Sequence, residues 1–487
     1  MKKDFTLSSI KVGGLLLGFA LQLYFTRTIG LKEYGTYILF STWINVFSLV
    51  LILGFDKVVI KQVSYYYLQN EKGKFRYTVD KLIKFVLLNC TMFLIFSFLV
   101  PQELLTKTFF SGELHRSTWI FISIGAIVFA IFTLLGKILS ATQRVELTFL
   151  RSEILYKAVW LIVVFILFTY FRKVAGINII AIGALVAYVS TILLFFLIID
   201  RKKVLRYVST RPEPAALGRE NFVFFFLTFN YYITAQIDKI LLGKFATREA
   251  LGIYGLVTTL CVMTGFSTII YQKFLPKIST YMNANRLDEL VADFKTVVRN
   301  ALIIALPALA FIIVFAEDVL GFFGESYVQG ATILRILIVG QMFDYYTGPI
   351  GPLLNNGRYS KIDFINSSVG VVLTICLGYF GYKTYGIIGL AIVTSIGTMI
   401  INIVKVIEVK LLYKIFPYQV QNLFLTVLVI MVFYAVRLMH VQFANQILQL
   451  ACNFLLGMSG ALFFVFLVMR VTGKNVRQFW KLETSNV

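Results

Sequence analysis

The chain is short of the residues with which a soluble protein meets water. Only 14% of its 487 residues are charged, and Asp plus Glu number 24 against 46 Lys plus Arg. Its two histidines, His115 and His440, fall in short connecting segments, so a histidine-based metal or catalytic site is not expected. The four cysteines, Cys90, Cys261, Cys376 and Cys452, all lie in apolar stretches without metal-ligand spacing. They read as packing residues, with neither disulfides nor a bound metal. No segment between apolar runs is long enough to fold as a domain, which disfavours an enzyme built around a large extracytoplasmic loop.

Long apolar runs are what the chain has instead. Hydrophobic residues make up 59% of it, well above a soluble domain's usual share. Runs such as 85–100, 118–136, 159–171 and 179–199 approach the ~20 residues that cross ~30 Å of hydrocarbon. They lack the alternation of barrel strands, so they read as helices. About fourteen spans are expected, near 8–27, 36–56, 82–101, 118–139, 152–171, 179–199, 221–243, 252–273, 300–316, 331–354, 364–380, 385–404, 418–436 and 446–469. The first is too long, and too lacking in a small-residue cleavage site, for a signal peptide. Lys and Arg set the orientation. Most fall in the even-numbered loops and at both termini, as in 57–84, with Lys57, Lys61, Lys72, Lys74, Arg76, Lys81 and Lys84. Both termini are therefore expected in the cytoplasm. The segment 317–330, acidic through Glu317, Asp318 and Glu325, should face outside. The same asymmetry accounts for most of the +22 net charge. Membrane lipids, not nucleic acid, are the expected general partner.

The chain also repeats itself weakly. GLKEYGTY at 30–37 is matched by REALGIYG at 248–255, IKQVS at 60–64 by PKIS at 276–279, LSATQRV at 139–145 by LLNNGRY at 353–359, and the glycine-led run at 176 by that at 386. The offset is roughly 210–217 residues, and repeats of that size point to a transporter with its site between the halves. The expected organisation is an all-α membrane protein with two six-helix lobes around a central cavity. An N-lobe would cover 1–205, a C-lobe 206–412, and two further spans with a basic tail 413–487. The segment 201–220, with Pro212 and Pro214 among charges, reads as the cytoplasmic linker.

Polar groups at membrane depth mark candidate sites, since a charge there costs about 2.5–3.5 kcal/mol. Asn230, Thr234 and Asp238 share one face of the seventh span, and Gly14, Gly18, Gln22 and Thr26 share one face of the first. The two stripes register, and the register pairs Arg27 with Lys239. Cleft lining is one reading, and close helix packing around the glycines is the other. In the tenth span Gln341 and Asp344 lie one turn apart, Arg335 sits higher, and Gly348, Pro349, Gly351 and Pro352 should break the helix and free carbonyls. Asn45 and Gln236 are further candidates for hydroxyl recognition or for interhelical hydrogen bonds. Trp43 and Trp119 are expected in the interfacial aromatic belt.

RTIGLKEYGTY (27–37), GFDKVVIKQVS (54–64), DKILLG (238–243), LGIYG (251–255), LPKIS (275–279) and LLNNGRY (353–359) resemble the polysaccharide branch of the multidrug/oligosaccharidyl-lipid/polysaccharide exporter superfamily, and within it the O-antigen flippases. That resemblance implies a non-enzymatic, multi-pass protein of the bacterial inner membrane. It implies movement of undecaprenyl-pyrophosphate-linked oligosaccharide units from the inner to the outer leaflet by alternating access, alongside polysaccharide assembly proteins and without a cofactor. On this reading the substrate-binding candidates are Arg27, Lys239, Arg335, Lys137, Lys11, Gln22, Asn230 and Gln341, and Asp238 and Asp344 are candidates for proton or sodium coupling. A cation-coupled drug exporter on the same fold is the alternative, and a glycan polymerase a lesser one. The superfamily's drug antiporters often carry an acid in the first helix, where residues 8–27 have none. Lipid II flippases bear an arginine-rich first helix, where this chain offers Gln22 between Lys11 and Arg27.

Overall fold

The computed structural model describes residues 2–109, 116–142, 144–171, 176–198, 210–214, 220–265, 269–284, 286–356, 360–416, 418–439 and 446–471. These are helices and short connections throughout, in two compact units, Met1–Gly252 and Ile253–Val487. Ten of the described helices are long and apolar enough to cross a membrane. The protein is a polytopic all-α membrane protein. His115, His440, most of the linker 201–220 and the tail beyond 471 lie outside the described residues. The repeat boundary expected at 205/206 concerns sequence symmetry and remains a proposal.

In the first unit α1 (Lys2–Thr28) and α2 (Leu31–Ile52) are joined at Gly30. Short helices α3 (Phe55–Val58) and α4 (Ser64–Leu68) flank a π-helical segment, Val59–Val63. Then come α5 (Lys72–Leu99), α6 (Gln102–Phe109), α7 (Arg116–Ala141) and α8 (Val145–Phe149). A second π-helical segment, Leu150–Leu155, leads into α9 (Tyr156–Tyr170), and α10 (Gly176–Ile198) and α11 (Glu220–Phe245) follow. The stretch 57–84, expected as a loop, is helical except for a turn through Asn70 at φ 57°. Val58, Val59, Val63 and Phe75 are buried with Leu82 and Ala130 in one core cluster. The expectation failed because its charges were read as marking a loop, whereas its apolar positions form a buried helical face. The described part of the linker is held to α5: Arg76 Nη1 donates to Thr210 O (2.8 Å) and Glu213 N to Gly73 O (3.2 Å). Trp43 and Trp119 are buried, at 7% and 1% exposure, and both rings pack on Phe47. They are core residues, not interfacial ones, a correction to the belt expectation.

In the chain's later part come α12 (Arg248–Met263) and α13 (Ile269–Asn283), and residues 266–268 of the expected span 252–273 lie outside the described residues. Next are α14 (Leu287–Val314), which runs through Pro307, then α15 (Ala316–Phe323), a 3₁₀ turn (Glu325–Gly330) and α16 (Ala331–Thr347). The expected break in the tenth span occurs at Gly348, φ 70°, ahead of α17 (Ile350–Asn356). The long α18 (Ser360–Tyr413) is a hairpin, with non-helical backbone at Tyr385 and Gly386 (φ 61°). Its arms pair antiparallel, as Asn366 with Glu408, Asp363 with Lys405 and Gly370 with Ile401 require. This agrees with spans expected at 364–380 and 385–404. Helices α19 (Val420–Leu438) and α20 (Gln446–Val471) end the described chain.

At the hairpin's tip the arms touch through Gly381 and Gly389, and a Cβ on Gly389 would strike the Gly381 carbonyl. Helices pack in lipid through such small residues. Gly389→Ala should therefore destabilise by about 1–3 kcal/mol, as overpacking does, lowering the thermal midpoint of the purified protein. Gly30→Ala, at φ −65° with nothing within 4 Å of the new methyl, should leave that midpoint unchanged.

Candidate functional site

The first unit gathers charge around the π-helical segment Leu150–Leu155. Such a segment carries one extra residue in a turn, re-aims side chains, and is frequent at functional sites. Arg151 is 4% exposed. Its Nη2 donates to Phe132 O at 2.8 Å, and its guanidinium lies 4.0 Å over the Phe132 ring. The guanidinium occupies the space beside Gly136 where a side chain would otherwise project. Glu153 Oε2 pairs with Lys157 Nζ at 2.7 Å, and the same ammonium donates to Gly14 O at 2.8 Å. Gly14 makes this possible, since a Cβ there would meet the Glu153 side chain. Lys11 Nζ lies 4.8 Å over the Phe149 ring and interacts electrostatically with Glu153. Two cations, Lys11 and Lys157, thus share the Glu153 carboxylate, and Arg151 of the same segment turns away from it to Phe132. Lys137 follows Gly136 on α7 and is half-buried. Of the first-helix stripe, Gly14 serves packing within the unit and Gln22 accepts from Tyr34 Oη at 2.6 Å. Arg27 is exposed near the end of α1.

Helix α11 packs against α2, where Gly243 admits Leu39. It carries Asn230 and Lys239, both half-buried, and Asp238, which is buried. Thr234 Oγ1 donates to Asn230 O at 2.7 Å. Buried Gln236 Oε1 has no hydrogen-bond partner.

The second unit holds several of its charges in pairs. Arg335 donates to Glu317 Oε2 at 2.6 Å and to Ile313 O at 3.0 Å, and Arg437 lies 3.5 Å from the same carboxylate. Gln341 is half-buried and Asp344 exposed, and Asp344 Oδ1 accepts from Asn402 Nδ2 at 2.7 Å. Pro349 has no N–H for the Tyr345 carbonyl, and Tyr271 Oη donates to that carbonyl instead at 3.1 Å. Tyr345 Oη in turn reaches Thr264 O at 2.6 Å. On the hairpin, Lys405 pairs with Asp363 at 2.7 Å and Asn366 donates to Glu408 at 2.6 Å. Asn402 and Lys405 are one turn apart and share a face.

Sequence reasoning missed Arg151, Glu153, Lys157, Asp363 and Lys405 as interior charges. The signal was a charge every two to four residues, at 151, 153 and 157, where an apolar span was expected to begin. Among the described residues no group of three or more His, Cys, Asp or Glu could hold a metal ion.

Residues 1–282 match the family described as "Polysaccharide biosynthesis protein". The chain belongs to this polysaccharide biosynthesis protein family. Two curated relatives are similar over shorter stretches. An uncharacterized membrane protein of Methanocaldococcus jannaschii is 25% identical over 187 residues, covering 37% of this chain and 43% of that protein. The probable low-salt glycan biosynthesis flippase Agl15 of Haloferax volcanii is 22% identical over 167 residues, covering 34% and 35%. The chain thus spans well under half the length of either. Among solved structures, a lipid II flippase MurJ in an inward closed conformation aligns with 96% of this chain and 99% of its own, at TM-score 0.67 and 16% identity. An inward-facing MATE-family multidrug resistance transporter covers 84% and 94% at TM-score 0.62, also at 16% identity. A Pyrococcus furiosus transporter described as having a binding pocket of reverse polarity gives TM-score 0.55 at 14% identity, over 84% and 95%. This family member therefore has the fold of the MOP exporter superfamily.

Glu317 itself lies in the connection after α14, outside the spans, and titrates. Partial burial alone would raise the Glu317 carboxyl pKa, but the Arg335 hydrogen bond and the Arg335 and Arg437 charges outweigh it and hold the value low. A carboxylate with a depressed folded-state value stabilises the fold fully above its unfolded value, about 4.3, and loses that contribution as pH falls through the lower one. The thermal midpoint should fall on acidification below pH ~4, and Glu317→Gln should reduce that dependence while lowering the midpoint at pH 7.

Proposed function

We propose that the chain is a flippase that moves undecaprenyl-pyrophosphate-linked oligosaccharide units from the inner to the outer leaflet of a bacterial plasma membrane, for O-antigen or another surface polysaccharide. The observation that carries this reading is the group of cations in the interior of one helical unit, Lys11 and Lys157 at Glu153 and the buried Arg151 against Phe132. A pyrophosphate is the lipid-linked group that needs such a site, because its charge must be answered wherever hydration is stripped away. Family membership, the flippase fold and the relative named as a glycan biosynthesis flippase all support the same cargo class.

Fourteen spans in two six-helix lobes plus two, with both termini cytoplasmic, remain the proposed architecture. In that orientation Lys11, Lys137 and the cluster lie towards the cytoplasmic entrance, and Arg27, Lys239 and Arg335 farther out. Asn230, Gln22 and Gln341 would meet glycan hydroxyls, and Asp238 and Asp344 would couple to a proton or sodium ion. The lobes would alternate about a cavity between them. Outward movement of an uncompensated negative charge gains about 2.3 kcal/mol per 100 mV of inside-negative potential.

Likeness to the MATE-family transporter favours a second reading, a cation-coupled exporter of small molecules. It requires an acidic site for a cationic drug, whereas the first-unit cluster has more cations than carboxylates. A glycan polymerase would shorten chains yet leave delivery of single units intact. Lys239→Ala or Arg335→Ala should reduce surface glycan export in cells at undiminished membrane levels of the protein. Full export by both single variants and by the double variant would remove these site assignments.

A further inference from the structure

A cavity of about 300 Å³ lies wholly within the first unit, between α2, α7, α9 and α10. That is the lower end of the usual range for small-ligand sites, about 300–1,000 Å³, and the liquid volume of on the order of ten waters. One wall is a panel of rings. Tyr156 and Tyr188 stack with centroids 4.4 Å apart at 13°, Trp160 lies 5.4 Å from Tyr156, and Tyr37 lies 6.2 Å from Trp160. The Trp160 indole N–H is spent on Ile180 O at 3.1 Å, so the indole offers the cavity its ring. Asn45 Nδ2 donates to Ser41 O at 2.7 Å, leaving the amide oxygen as an acceptor. Every lining residue is neutral.

These features select the occupant. A cationic amphiphile would meet ring faces that attract it but no carboxylate to balance its charge, and it would leave the Asn45 amide oxygen without a hydroxyl donor. The phenols of Tyr37, Tyr156 and Tyr188 already have partners in Gln22 and in each other, but an isoprenoid or acyl chain would leave the Asn45 amide oxygen unanswered, at about 1–3 kcal/mol. A pyranose ring satisfies both surfaces, since its C–H face packs on aromatic rings and its hydroxyls pair with Tyr, Ser and Asn. We propose that this cavity is a saccharide-ring subsite of the transporter, with Tyr37, Asn45, Tyr156, Trp160 and Tyr188 as its contact residues. It rests on the reading that the cargo is a lipid-linked glycan and adds where one sugar of that glycan is held. Tyr156 and Lys157 are successive residues of α9, one facing the cavity and the other the cation cluster. A sugar and the phosphate group that carries it would then be read from a single helix.

The full chain in lipid nanodiscs can be titrated with farnesyl pyrophosphate and with the same lipid carrying one N-acetylglucosamine or one galactose. In the wild type at least one glycosylated probe should bind about tenfold or more tighter than farnesyl pyrophosphate. Ala184→Trp fills the cavity, since Ala184 lines it, and should collapse that ratio towards one. Asn45→Ala tests the same point without added bulk and should reduce the ratio. A wild-type ratio of one for both sugars, or a ratio that survives both variants, overturns the subsite. Tighter binding of the bare isprenoid probe also overturns it. Flipping of a lipid-linked oligosaccharide by the wild type, measured in proteoliposomes alongside, separates the two readings. Flipping without a sugar increment removes only the subsite, whereas absence of flipping removes the transport reading beneath it.

Discussion

Everything in this fold follows from one constraint: within the hydrocarbon layer there is no water to answer a polar group, so the protein must answer it. Backbone groups are answered by helices. Where a helix breaks, a side chain takes over, as Tyr271 does for the carbonyl orphaned ahead of Pro349. Charges are answered by each other or by carbonyls, as Lys157 is by Glu153 and Gly14, and Arg335 by Glu317 and Ile313. The structure is therefore best understood through the accounting of its interior charges.

The π-helical segments show how local geometry serves that accounting. In Leu150–Leu155 the extra residue lets Arg151 reach Phe132 while Glu153, two positions on, meets α1. A regular helix separates positions two apart by about 200°, and the widened turn alters where each side chain emerges. Gly14 and Gly136 supply room on the neighbouring helices. A larger residue at Gly14 would push on Glu153, and one at Gly136 would displace the Arg151 guanidinium from Phe132.

Much of the fold was legible because hydropathy reports directly on the lipid. The spans at 118–139 and 446–469 lie within or close to α7 and α20, and the boundary expected between 364–380 and 385–404 falls beside the hairpin turn at Tyr385 and Gly386. The extension of α5 back to Lys72 was hidden because its exposed face is basic, while Phe75, Thr78 and Leu82 form its buried face. Of the candidate site, Lys11 was expected near the cytoplasmic entrance, and the structure sets it over Phe149 and near Glu153, neighbours that the sequence did not reveal. Glu153 and Lys157 were passed over as boundary charges, and the aromatic cavity was invisible because its rings come from helices far apart in sequence. Only Asn45 among its residues had drawn notice, as a possible partner for hydroxyls.

The central claim is that excess positive charge inside the first unit holds the phosphate of a lipid-linked glycan during transfer. The most direct measurement is the flipping rate of a fluorescent undecaprenyl-pyrophosphate oligosaccharide in proteoliposomes under an imposed potential, for the wild type and for the Lys11→Gln, Lys157→Gln double variant. The account predicts transport that speeds up when the potential draws the anion across and that falls about tenfold or more in the variant. An unaltered rate in the variant, or transport of cationic dyes in place of the glycolipid, would contradict it.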